Sequence, residues 1–263
     1  MEIHHHSYPP SGGTHKKWTH YLWEFIMLFL AVFCGFLAEN QREHFVEAQR
    51  AKEYAKSLVS DMKEDTTEIR GGIIQNSFMI EAFDSCVSMG LKNIDNPTVP
   101  GKFYYYSRFT TNAYGIDWNR STLTQLIQSG NLRYFKNKEL VRKINKYYSL
   151  QDRIGSNNEA DHLHRDRIIE IRDRLLAARH YEAFAGLSIS IEMKRHMADN
   201  RIDSLMAQQL SLKPGSSGVM EEYLNNLMDR KWRNKSYVNE LYPKALKMAE
   251  EIIEMLKEDY HLE

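Results

Sequence analysis

The stretch HYLWEFIMLFLAVFCGFLAEN, from His20 to Asn40, sets the tightest condition on what this chain can fold into. Between Tyr21 and Ala38 every residue is uncharged except Glu24. As an α-helix this run rises about 27 Å, close to the roughly 30 Å hydrocarbon thickness of a bilayer. Phe25, Ile26, Met27, Leu28, Phe29 and Leu30 are consecutive, so no face is polar, which argues against a core helix with one wet side. Signal-peptide cleavage fits poorly, because FLA before Glu39 puts Phe36 where a small residue is required. AVFCG has the outline of a lipoprotein box, but Phe33 stands directly before Cys34. The sequence therefore predicts an uncleaved transmembrane anchor over residues 18–40. Lys16 and Lys17 precede the run, while Glu39, Arg42 and Glu43 follow it, a contrast that puts the N-terminus in the cytoplasm. Arg50, Lys52 and Lys56 dilute the contrast, but a long downstream domain is translocated largely regardless of charge.

Beyond the anchor the composition favours helix. The 263 residues include only 6 prolines and 13 glycines, clustered at a few points and separated by long stretches of good helix formers. With a formal net charge of zero there is no electrostatic case for a nucleic-acid partner. The 2 cysteines, Cys34 and Cys86, define no disulfide framework. The expected fold is all-α: one N-terminal transmembrane helix continuing into a stalk helix and an antiparallel helical bundle.

The organisation reads as a disordered tail over 1–17, the anchor over 18–40, a stalk and first bundle helix over 41–92, a loop and aromatic cap over 93–118, and a bundle domain over 119–263. The tail holds His4, His5 and His6, a weak metal signal. In the stalk, Ala48, Ala51, Ala55, Leu58, Met62 and Ile69 recur at three- and four-residue steps, interrupted by Asp65. Such a seam suits a homo-oligomeric coiled coil or packing against the chain's own later helices, and its shortness and alanine content favour the second. Gly71-Gly72 reads as a hinge before Ile73, Ile74, Phe78, Ile80 and Phe83 continue the helix to about Met89. LKNIDNPTVPGKF reads as a loop, and the aromatic run through Trp118 as an irregular cap or a short hairpin.

Further on, Ser121 or Thr122 is placed to cap a short helix, Gly130 to take a left-handed C-terminal position, and Asn137 to cap a long helix bearing Leu140, Ile144, Tyr147 and Tyr148. That helix is expected to reach Tyr181, with a polar interruption at GSNNEAD before Ile168, Ile171, Leu175 and Ala178 resume the stripe. LKPGSSG reads as the last loop, and Tyr237, Leu241, Ala245, Met248, Ile252, Leu256 and Tyr260 mark a terminal helix.

The pieces WEFIMLFLAVFCGFLAENQREH, KEYAKSLVSDMKEDT, STLTQLIQSGNLRYFKNKELVRKINKYY and YVNELYPKALKMAEEI, taken in this order, resemble a bacterial family of single-pass membrane proteins. Glu24, Gly130, Asn131, Arg133, Tyr147 and Tyr148 carry the likeness, and SGNLR is its most specific part. The chain departs where Pro243 enters the terminal helix, which suggests a kink or a helix start. The resemblance implies the anchored architecture and the bacterial inner membrane, with the C-terminal domain periplasmic or extracellular. It brings no activity and no cofactor.

Among candidate sites, Glu24 is the sharpest. At 100° per residue, Glu24, Ala31, Gly35 and Ala38 fall within roughly a 60° stripe, a small-residue face suited to close helix contact. Intramembrane acids mark ion or proton paths, whereas a glutamate at headgroup depth pairs with a neighbour such as His20 or Lys17. Glu159 with His162, and Glu258 with His261, have the spacing of di-iron carboxylate bundles; His164 and Asp166 lie close by, but two further inward glutamates are needed. No GxSxG, phosphate-binding glycine loop or cysteine–histidine neighbour points to an enzyme. Trp118, Tyr104, Tyr105 and Tyr106 suit a pocket or, more commonly, a core. The expectation is thus a non-enzymatic membrane-anchored interaction, scaffold or sensor-like protein, self-associating or paired with another membrane protein. The alternatives are a subunit of an ion- or proton-coupled complex using Glu24 and, more weakly, a metal-binding bundle enzyme.

Overall fold

The computed structural model describes residues 18–184 and 200–262. The expected tail over 1–17, with His4, His5 and His6, lies outside the described residues. What is described is almost wholly helical, as sparse proline and glycine require. The chain divides into two units, Met1–Ala51 and Lys52–Glu263.

Helix α1 spans Trp18–Lys92 without interruption. This corrects the hinge expected at Gly71-Gly72. Glycine inside a helix costs about 1 kcal/mol relative to alanine, an amount that tertiary packing readily offsets. Gly72 is buried, a Cβ there would lie 3.4 Å from Ile116 and 3.5 Å from Tyr242, and Asn76 Nδ2 donates to its carbonyl at 2.8 Å.

In the second unit the stalk seam is buried from Ala55 to Ile69; Ala48, in the first unit, is exposed. Ala55, Leu58, Met62 and Ile69 pack with Leu140, Ile144 and Ile154 of α4 (Lys138–Leu175) and with Ala245, Ile252 and Leu256 of α8 (Tyr242–Tyr260). The chain's own helices therefore occupy the face that a homo-oligomeric coiled coil would need. Arg70–Glu250 and Lys143–Glu251 ion pairs, at 2.5 and 2.6 Å, flank this cluster.

A second apolar cluster joins Met79, Ala82, Phe83 and Cys86 of α1 to Ile168 and Ile171 of α4 and to Met220, Tyr223 and Leu227 of α7 (Ser217–Ser236). Into it goes the aromatic run, which is a helix, α2 (Gly101–Ser107), followed by a 3-10 turn at Phe109–Thr111. Phe103, Tyr104, Tyr105 and Phe109 are almost completely buried, and burying that much aromatic area stabilises a conformation that local propensity does not favour. The entry is tight: Pro100 sets φ at −56° before α2, and a Cβ at Gly101 would fall 1.9 Å from the Leu205 carbonyl oxygen in α6 (Asn200–Ala207). Before α2, strand β1 (Thr98–Pro100) pairs antiparallel with β2 (Gln209–Ser211), Val99 opposite Leu210. This small ribbon is an addition to the helical expectation; three-residue strands are too short to show an alternating pattern.

Helix α3 (Ser121–Gln128) ends with Gly130 at φ 68°, the left-handed position expected of it, and Asn137 caps α4 by accepting from the Glu139 and Leu140 N–H groups at 3.0 and 3.1 Å. GSNNEAD does not interrupt α4. That helix ends instead at Leu175, because Leu176 turns extended (φ −92°, ψ 137°) to bridge Leu212. Ala178, expected on the buried stripe, opens the single-turn helix α5 (Ala178–Tyr181) and is exposed. Helix α7 passes through a π-helical turn, Tyr237–Leu241, into α8, whose first turn holds Pro243. Proline lacks the N–H that would bond the carbonyl four residues back and clashes with it; the widened turn relieves that conflict.

Candidate functional site

Two places carry the sequence candidates, one in each unit. In the first, the most apolar window of α1 has no buried residue, and this helix is long and apolar enough to cross a membrane. Trp23, Phe25, Leu28, Phe29 and Phe36 are exposed, and Phe25, Phe29 and Phe33 stack along one side with ring centroids 6.4 and 5.8 Å apart. Glu24 Oε1 lies 3.0 Å from His20 Nε2, an i,i+4 acid–imidazole contact. Ala31, Gly35 and Ala38 are exposed, and a Cβ added at Gly35 would meet nothing within 4 Å.

In the second unit the SGNLR region is tied to α1 by buried polar groups. Asp65, the residue that breaks the stalk seam, is almost fully buried. Its Oδ1 accepts from the Asn119 N–H at 2.8 Å, and its Oδ2 accepts from Tyr147 Oη at 2.7 Å and Gln151 Nε2 at 2.9 Å. Burial pushes the Asp65 carboxyl above its ordinary range, and those three donors hold it back only in part. One turn earlier, Asp61 Oδ2 accepts from the Thr122 N–H at 3.0 Å. The start of α3 is thus capped by an acid from α1, where negative charge meets the positive end of the helix dipole. This corrects the capping role expected of Ser121 or Thr122, whose side chains make no such bond.

Among the motif residues, Asn131, Tyr147 and Tyr148 make contacts at this junction. Asn131 Nδ2 donates to Tyr54 Oη at 2.9 Å, Arg133 lies over the Tyr134 ring, and Tyr148 packs under the Arg120 guanidinium, which donates to the Tyr148 carbonyl. Burial, with Asp65 beside it, pushes the Tyr147 phenol far up, so it stays a hydrogen-bond donor at any physiological pH. Trp118 packs edge-on to Tyr147, and Tyr104 and Tyr105 belong to the core. Tyr104 Oη donates to the Ser211 carbonyl and accepts from the Ala177 N–H.

The metal candidates do not converge. Glu159, His162, Glu258 and His261 are exposed, and among the described residues no three histidine, cysteine or acidic groups are placed to hold an ion. The surprise in that segment is Asp161. It is buried and pairs with Arg230, which is 1% exposed, at 2.7 Å. Arg230 also donates to the Thr110 and Asn112 carbonyls and stands over the Phe83 ring. The stretch expected to be a polar interruption therefore holds an almost completely buried ion pair. The signal was present: Ile154, Asp161, Ile168 and Leu175 follow one another at seven-residue steps, so Asp161 stands on the buried stripe.

No family model matches the chain, and neither does any curated protein or solved structure.

Proposed function

We propose that this protein is a single-pass membrane protein that displays a helical bundle for protein interaction, as a scaffold or sensor-like subunit. One observation carries the reading: an apolar run of bilayer length with no buried residue in its most apolar window, among the described residues. Burying apolar area stabilises at about 25 cal/mol per Å², and lipid is the cover that an all-round apolar helix fits. The N-terminus is cytoplasmic and the bundle lies across the bacterial inner membrane, on the charge contrast around the run. Self-association runs through Ala31, Gly35 and Ala38, whose small side chains permit close helix approach.

The test is fractionation. The full chain stays with membranes through alkaline carbonate extraction, whereas Leu28→Arg/Phe33→Arg releases it, each arginine at mid-helix costing about 3 kcal/mol of insertion. Release of the unaltered chain by carbonate would sink the reading. Reporter fusions at the C-terminus read the orientation, and Gly35→Leu lowers cross-linking between copies if the small face is the contact.

A second reading makes Glu24 the titrating group of an ion- or proton-coupled complex, on the ground that an acid stands inside the apolar run; its pairing with His20 is what a glutamate at headgroup depth would show. Glu24→Gln then abolishes function with assembly unchanged; full function in that variant removes it.

A further inference from the structure

We propose that the space beside the Asp161–Arg230 pair is a binding site for a small organic anion, a monocarboxylate. A partly enclosed cavity of about 160 Å³ lies there, lined by Asn158, His162, Arg165, Asn234 and Tyr237 together with the ion pair. It is far larger than a packing defect and smaller than the roughly 300 Å³ at which drug-sized pockets begin.

Two observations say what it accepts. Asn234 is only 2% exposed, lines this cavity, and has its Nδ2 buried with no hydrogen-bond partner among the described residues. An amide donor buried without an acceptor is destabilising, so the occupant that suits this wall presents an acceptor oxygen. The charge of the lining then selects among acceptors. Asp161, the cavity's one carboxylate among the described residues, is fully engaged by Arg230. Arg230 in turn spends its donors on Asp161, Thr110 and Asn112, which makes it a fixed wall. That leaves Arg165, which among the described residues pairs with Asp166 on its own helix at 3.7 Å, and His162 at the rim. A guanidinium and an unpaired amide donor on one small cavity match a carboxylate's two oxygens better than a neutral carbonyl.

The inference does not depend on the membrane reading: a soluble chain with this cavity binds the same ligand.

The experiment is calorimetric titration of the full chain in detergent with acetate and with pyruvate, using acetamide as the neutral isostere. Saturable binding of acetate or pyruvate without comparable binding of acetamide is expected. Asn234→Leu removes the unpaired donor and weakens binding about tenfold, the loss of one charge-assisted hydrogen bond. Should that variant fail to fold, Arg165→Gln, a half-buried position with a single local ion pair, gives the same reduction with unchanged circular dichroism. Absence of saturable binding by both anions, equal binding of acetamide, or folded variants that bind as the unaltered chain does would each overturn the proposal.

Discussion

Asp65 shows what a single carboxylate does when it is placed on an apolar seam. Its folded pKa lies above the ordinary 3.8, because burial opposes the charge more than three donors favour it. The native chain therefore keeps this proton where the unfolded chain has released it. The group's contribution to stability is complete below pH 3.8 and declines as pH rises through the window up to the folded pKa. Asp65→Asn removes that slope and costs about 1–3 kcal/mol near neutrality, since its amide turns a donor toward other donors. Urea midpoints followed across the acid range read both effects. Arg230 gives the opposite lesson. Arg230→Met strands Asp161 and two carbonyls and costs about 3–5 kcal/mol, whereas Asp161→Leu/Arg230→Met recovers much of that loss. Chemical denaturation of the three variants checks the order.

At the scale of elements, the sequence was legible wherever one residue and its near neighbours decide the outcome. Gly130 and Asn137 act through bonds spanning two to four residues, and both stand where local chemistry put them. The stripe of Leu140, Ile144 and Tyr147 and that of Ala245, Ile252 and Leu256 are buried as their spacing required. Reading failed where the deciding partner is remote. Asp61 caps a helix 61 positions away, and Arg230 meets Asp161 across 69, so no local pattern announces either contact. Gly71-Gly72 read as a hinge because glycine frees the backbone, yet packing against Ile116 and Tyr242 fixes it. The aromatic segment became α2 for a similar reason, through burial against elements that are distant in sequence. Gly101 makes that burial possible, and Gly101→Ala drives a methyl into the Leu205 carbonyl. The expected loss is about 3 kcal/mol, seen as a lowered melting temperature together with faster proteolysis near β1 and β2.

At the scale of the molecule, both apolar clusters are drawn from residues at or beyond Ala55, and the exposed apolar run ends before them. A chain lacking residues 1–41 is accordingly expected to remain soluble without detergent and to keep the helical content and melting temperature of the full chain within a few degrees. Size-exclusion chromatography and circular dichroism check this, and aggregation of the shortened chain would show that the first unit shields the second. The apolar run with Glu24 was visible in the sequence as a pattern. The anion cavity was not, because its walls come from four separated segments and its defining feature is a missing bond.

The pairing of α1 with α8 also fixes an order of events during synthesis. Arg70 and its partner Glu250 are 180 residues apart, and Ala55, Leu58 and Met62 close against the last helix of the chain. At 5–20 residues per second, the ribosome needs about 9–36 s to make that helix after Arg70 has been added. Throughout that interval the seam is a nascent apolar stripe without its final cover. A premature stop before Tyr242 leaves it so permanently, which makes the C-terminal helix the segment whose loss turns this chain into a substrate for chaperones and proteases.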